Sequence, residues 1–108
     1  MATSRTLTRL GDAMIVTYAA LLNENGIGFE AWEFPDKTIT VYGTGTVTVE
    51  GSPDGTNGWV GLKDQAGAAI SLVVAASGAA ALILENPKYM RVVNNNATGV
   101  LAVITCSK

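Results

Sequence analysis

The sequence predicts an all-β fold: an antiparallel β-sandwich, jelly-roll or immunoglobulin-like, with an extended N-terminal arm. Three observations carry this expectation. Short runs rich in Val, Thr and Ile alternate with clusters of Gly, Asn, Asp and Pro, at the spacing of roughly 8–12 residues that sandwiches show. Two runs show the alternation of a strand with one buried face: 37–42 puts Ile39 and Val41 on one side with Thr38, Thr40 and Tyr42 on the other, and 46–50 repeats the pattern. β-branched residues are abundant, and these fit a pleated surface while losing side-chain freedom in a helix.

Taken in order, residues 1–11 read as the arm and 12–108 as one sandwich domain. The run 12–22 is apolar without a clean period, so strand and short helix both remain open there. Residues 23–28 form a turn by composition, and 29–34 alternate in the manner of a half-exposed strand until Pro35 and Asp36 stop it. In 37–42, Ile39 and Val41 share one face. Gly43, Thr44 and Gly45 then allow either a tight hairpin or a glycine bend by which one long strand turns a sandwich corner. Residues 51–58 are dense in turn chemistry: Pro53 presets φ for a type I turn, while Gly55 and Gly58 accept positive φ. A short strand at 59–62 and a turn at 63–67 follow. Two apolar strands, 68–74 and 80–85, are joined by small residues at 75–79. After a break at 86–88 come a strand at 89–93, a loop at 94–99 and a last strand at 100–106.

The chain has 108 residues, 48% hydrophobic and only 15% charged, which suits one domain that buries much of its surface. So few charges also point to surface covered by copies of the chain, a dimer or trimer, or by a larger partner. With 7 Lys and Arg against 9 Asp and Glu, scattered along the chain, no basic patch is offered to nucleic acid. Residues 66–84 carry no charge and approach the length of a membrane span, but they are mild in hydropathy and broken at Ser77 and Gly78, so no membrane partner is expected. The N-terminus lacks the apolar stretch of a secretory signal.

Catalytic chemistry is not expected. The sequence contains no His, which removes the usual triads and the most versatile metal ligand. Lone Cys106 reads as a small strand hydrophobe. The acidic residues Glu30, Glu33, Asp36, Glu50, Asp54, Asp64 and Glu85 sit near turns or at alternating positions, as a solvated face requires. Asp54 with Asn57 falls far short of a Ca²⁺ site. Gly26, Gly28 and Ala31 match G-x-G-x-x-A without the βαβ context that a dinucleotide needs. Asn96 and Thr98 frame a glycosylation sequon that has no secretory signal to make it matter. No cofactor, metal or catalytic residue is therefore expected. Trp32, Trp59, Phe29 and Phe34 suggest an aromatic platform for sugar or protein, although core packing is the expected use for most of them.

One pattern is more specific. VTVEGSPDGTN at 47–57, then Trp59, then Leu62, Lys63 and Asp64, and finally ENPKYMRVV at 85–93, resembles a recurring arrangement in small tailed-bacteriophage structural proteins. There a V-E-G-S-x-D-G-T-N-W hairpin precedes a P-x-Y-[IM]-R strand. Gly58, inserted before the Trp, is a departure that alters the loop more than the fold. The likeness covers about Ile39 to Ile104. It implies a virion component made in the host cytoplasm and carried on the outer capsid surface, a decoration or cement protein whose partner is the major capsid protein.

Such a protein stabilises a shell by binding assembled subunits, and gains further when several sites engage at once. The expected contacts are Thr3, Arg5, Leu7, Arg9 and Leu10 in the arm, with Arg5 and Arg9 meeting acidic capsid surface, and Ser52, Pro53, Asp54 and Asn57 in the loop. A neck, tail or fibre-associated sandwich and a carbohydrate-binding adhesive module are the alternatives.

Overall fold

Eleven strands run through residues 5–21, 24–74, 78–94 and 99–108, the part of the chain that the computed structural model describes. They are β1 (Arg5–Leu10), β2 (Ala13–Leu21), β3 (Glu24–Asn25), β4 (Phe29–Glu30), β5 (Asp36–Gly43), β6 (Gly45–Ser52), β7 (Val60–Gly61), β8 (Ser71–Val74), β9 (Ala79–Ile83), β10 (Tyr89–Asn94) and β11 (Val100–Ser107). No helix occurs among the described residues. One sheet has the order β1-β2-β11-β5-β9; the other has β3-β10-β6-β7, with β4 also on β10 and β8 also on β6. Every pairing is antiparallel.

The core is the set of residues that the period of two sends inward. Met14, Val16 and Tyr18 on β2, Ile39 and Val41 on β5, and Ala102, Ile104 and Cys106 on β11 meet Val47 and Val49 on β6 and Met90 and Val92 on β10. Each large apolar side chain so enclosed contributes about 1.5–3 kcal/mol. Phe29 and Phe34 join this core. Tyr18 carries its hydroxyl inside by donating it to the carbonyl of Ile27 at 2.5 Å, and burial holds that phenol well above its usual pKa.

The outward positions of the first sheet are of another kind. Thr6, Thr8 and Leu10, then Ala13, Ile15 and Thr17, then Leu101, Val103 and Thr105, then Thr38, Thr40 and Tyr42, then Ala80 and Leu82 point away from the core on successive strands. Between β1 and β9 the only charged side chain at these outward positions is Asp36, at the end of β5.

Several expectations change. The arm is a strand over most of its length: Arg5–Leu10 pairs along β2 from Arg5↔Tyr18 to Leu10↔Ala13, closed by Gly11 at φ 63. Gly-Asp between two alternating runs is a two-residue hairpin signal. Residues 1–4, Thr3 among them, lie outside the described residues. The open run 12–22 is strand throughout Ala13–Leu21. The strand expected at 29–34 stops after Phe29–Glu30, because Trp32 and Glu33 turn and the carbonyl of Ala31 accepts the amide of Phe34.

Gly43 to Gly45 is the corner, not a hairpin. β5 belongs to the first sheet and β6 to the second, and Gly43 and Gly45, at φ 123 and 138, let the chain pass between them. The apolar stretch 66–84 makes a similar passage, β8 lying on β6 and β9 on β5; no helix of the described structure is long and apolar enough to cross a membrane. Of the small-residue turn expected at 75–79, residues 75–77 lie outside the described residues and Ala79 already belongs to β9; of the loop expected at 94–99, Asn94 belongs to β10 and residues 95–98, which hold the sequon, lie outside the described residues.

Candidate functional site

The outer face of the second sheet carries one organised cluster. β6 and β10 pair with Glu50 opposite Arg91 and Ser52 opposite Tyr89, so four outward side chains form a square. Arg91 donates through Nε and Nη2 to Oε1 of Glu50 at 2.9 and 2.7 Å. On its other side the guanidinium lies 4.1 Å from the ring centre of Trp59. Arg91 is thus held between a carboxylate and an indole, two partners suited to a planar cation.

The loop before Trp59 is built by side-chain to main-chain bonds. Ser52 donates its hydroxyl to the carbonyl of Asn57 at 2.5 Å and accepts the amide of Gly55 at 3.0 Å. Asp54 Oδ1 accepts the amides of Thr56 and Asn57, both at 2.8 Å. Those amides hold the Asp54 carboxyl below its ordinary pKa. Gly55, at φ 79, lies on the Tyr89 ring: a Cβ there would come within 3.1 Å of it. Gly51 admits Pro87, since a Cβ at that position would meet the ring at 2.7 Å.

Beside this loop opens a cleft of about 510 Å³ with an apolar floor of Pro53, Val60, Leu62 and Pro87. Lys63 and Lys88 stand at its rim with Glu85. Glu85 accepts the amide of Lys63 at 2.7 Å, fastening β9's exit to the β7 segment.

The expected contact residues do not form one surface. Arg5 donates Nε to the carbonyl of Gly28 at 3.0 Å. Arg9 forms a fork with Glu33, at 2.9 Å on one side and 2.5 Å on the other, and lies 5.2 Å over the Phe34 ring. Both arginines are therefore engaged within the chain, Arg9 while half-exposed. They share the core-facing side of β1 with Leu7, 45% exposed, whereas Leu10, 57% exposed, is on the opposite side. Ser52 is buried and its hydroxyl is spent on organising the loop. Pro53, Asp54 and Asn57 are exposed.

Of the four aromatics weighed as a platform, Phe29 and Phe34 are core, Trp32 is 56% exposed and Trp59 is half-buried. Trp32 is steadied by donating Nε1 to Glu30 at 2.8 Å. Glu50 and Arg91 escaped the sequence reading as a pair, although both lie at outward positions of alternating strands. Lys37 escaped it as well. It is 2% exposed, donates Nζ to Phe34 O and Asn86 Oδ1 at 2.5 and 2.6 Å, and is held below its usual pKa by burial. No group of three His, Cys, Asp or Glu side chains suited to a metal occurs among the described residues.

No protein-family model matches the sequence, and no curated protein matches it. Solved structures do match the fold. A cupin domain from Bordetella pertussis Tohama I superposes with a TM-score of 0.59 at 13% identity, covering 99% of this chain and 94% of that one. Protein NMB1881 from Neisseria meningitidis gives 0.54 at 13%, with coverages of 100% and 87%. A family 29 carbohydrate-binding module gives 0.56 at 8%, with 95% and 73%. The chain thus has the β-sandwich, jelly-roll type of architecture, as its alternation predicts.

Proposed function

We propose that the chain is a non-enzymatic virion structural protein of the capsid-decoration kind. The observation that supports this reading is the coincidence of two patterns. Among the residues that carry the resemblance to small bacteriophage structural proteins, Glu50, Ser52 to Asn57, Trp59, Tyr89 and Arg91 are scattered over 42 positions in sequence yet meet in one cluster on the outer face of the second sheet, while Val47, Val49, Met90 and Val92 of the same pattern lie in the core beneath it. A motif whose members brace one another keeps a loop in a fixed shape, which is what a docking surface needs. Pro53, Asp54 and Asn57 and the cleft flanked by Lys63 and Lys88 are then the surface offered to the major capsid protein. The test is co-sedimentation of the purified chain with mature and immature capsids of its own virus. Saturable binding at a copy number set by capsid symmetry is expected, and absence of binding to both shells overturns the reading in favour of a neck or tail position.

A second reading rests on Trp32 and Trp59, two indoles at the surface of a fold shared with a carbohydrate-binding module. Sugars stack on exposed indoles, so oligosaccharide titration followed by tryptophan fluorescence tests it. A saturable change abolished by Trp32→Ala would favour this reading over the first.

A further inference from the structure

We infer that the outer face of the first sheet is a homodimer interface, formed by two copies packed face to face about a twofold axis. The register aligns one residue from each of five strands into a single row: Thr6, Thr17, Val103, Thr40 and Ala80. All are small or β-branched, and none is charged. A second copy of this chain is the occupant to which such a face is suited, because identical faces meet without opposing charges even though each chain carries a formal charge of -2. A partner recognised by charge would find only Asp36, at the end of β5, to read there.

Relief and area agree with self-association. At one end of the face Tyr42, paired with Leu101, stands out, the two being 45% and 38% exposed. At the other end Thr38, Leu82 and Thr105, with Asp36 and the buried Lys37 at the strand end, border a depression of about 370 Å³. An axis lying in the interface along the row of Val103 and Thr40 turns each end onto the other, so Tyr42 and Leu101 of one copy fall on the Thr38 and Thr105 end of its partner. Five strands at about 4.8 Å spacing and about 20 Å of length give a face of roughly 480 Å². Two copies therefore bury on the order of 1,000 Å² before side-chain relief is counted, the size at which specific interfaces begin. The loop cluster lies on the opposite sheet and stays free on both copies, so the dimer offers two docking loops. This inference does not rest on the capsid reading.

Sedimentation equilibrium of the full chain and of Val103→Lys tests it, with circular dichroism to confirm the fold. The wild type is expected at twice the 11.2 kDa chain mass and the variant at the single-chain mass, because Val103 lies on the axis and places two ammonium groups face to face. Tyr42→Ala is expected to raise the dimer dissociation constant tenfold or more. Val73→Lys, on the other sheet and 79% exposed, is expected to leave the dimer intact. If Val103→Lys does not fold, Leu101→Lys provides the same comparison. A wild type that is monomeric at 100 µM overturns the inference, and so does a dimer that survives both substitutions. A monomer that binds capsids and loses that binding on Val103→Lys also overturns it, assigning the face to the shell while leaving the proposed function standing.

Discussion

The Arg91 guanidinium is clasped between the Glu50 carboxylate, 2.7 Å from Nη2, and the Trp59 ring, whose centre is 4.1 Å away. Both ionic side chains are largely sheltered from water, so the pair is screened less than a surface bridge. Arg91→Ala should cost about 1–3 kcal/mol, by leaving Glu50 without its partner and removing the cation from the indole. Arg91→Lys should recover part of this, since an ammonium keeps the charge but not the planar fork. Denaturant unfolding followed by Trp fluorescence measures both, and a change within 0.3 kcal/mol for Arg91→Ala would show the clasp to be incidental.

Glu33 accepts from Arg9 and lies 3.2 Å from the Lys108 ammonium, and these two cations hold its carboxyl down to about 2. A depressed carboxylate pKa means that its contribution to stability is complete above the unfolded value near 4.5 and is lost as pH falls towards 2. Glu33→Gln should therefore flatten the acid limb of the stability curve in that window: the variant is slightly less stable than wild type at neutral pH, by the small amount an exposed pair contributes, and the difference vanishes as pH falls towards 2. Carboxyl NMR titration of Glu33 checks the pKa directly, and a midpoint near 4 would refute the pairing.

Gly26 and Gly61 make a matched comparison. A Cβ at Gly26 would sit 2.5 Å from the Tyr18 ring and 2.9 Å from the Val92 carbonyl, whereas at Gly61 it would meet nothing within 4 Å. Gly26→Ala should destabilise by about 1–3 kcal/mol through overpacking against the backbone. Gly61→Ala should stay within about 0.5 kcal/mol of wild type. Equal effects in thermal unfolding would contradict the close approach of the Gly26 segment to Tyr18.

Cys106 is buried on β11, and desolvation pushes its thiol up to about 11. The thiolate is the reactive form, so the native protein should resist thiol reagents at pH 8 and react on unfolding. Prompt labelling of native protein would contradict this burial.

What the sequence made legible was governed by local rules. Ile39 and Val41 are buried because alternation leaves them no other face, and Asp54 binds amides two and three residues on because turn chemistry is local. The partition of strands between sheets was not legible, since Gly43 to Gly45 suits a hairpin and a corner equally. The intrachain partners of Arg5 and Arg9 were hidden for the same reason: Gly28 and Glu33 are 23 and 24 positions away. Glu50 with Arg91, 41 positions apart, could be seen only once β6 and β10 were in register.

Lys37 shows how a long-range contact can sustain a surface feature. Its ammonium binds the Phe34 carbonyl and Asn86 Oδ1, and Asn86 in turn donates Nδ2 to the Trp32 carbonyl at 2.9 Å. One buried cation thus fastens the Trp32 turn and the 86–87 segment to β5. Removing it with Lys37→Ala strands two acceptors and opens a cavity, at a cost of about 2–4 kcal/mol. Asn86→Ala breaks the middle of the relay and should cost about 1–2 kcal/mol. Because both substitutions act on the same chain of bonds, the double variant should fall short of the sum by at least about 0.5 kcal/mol. Strict additivity in urea unfolding would mean that the relay is not a unit. It would also remove the physical reason for Trp32 to hold one position at the surface, where the sugar-binding reading needs it.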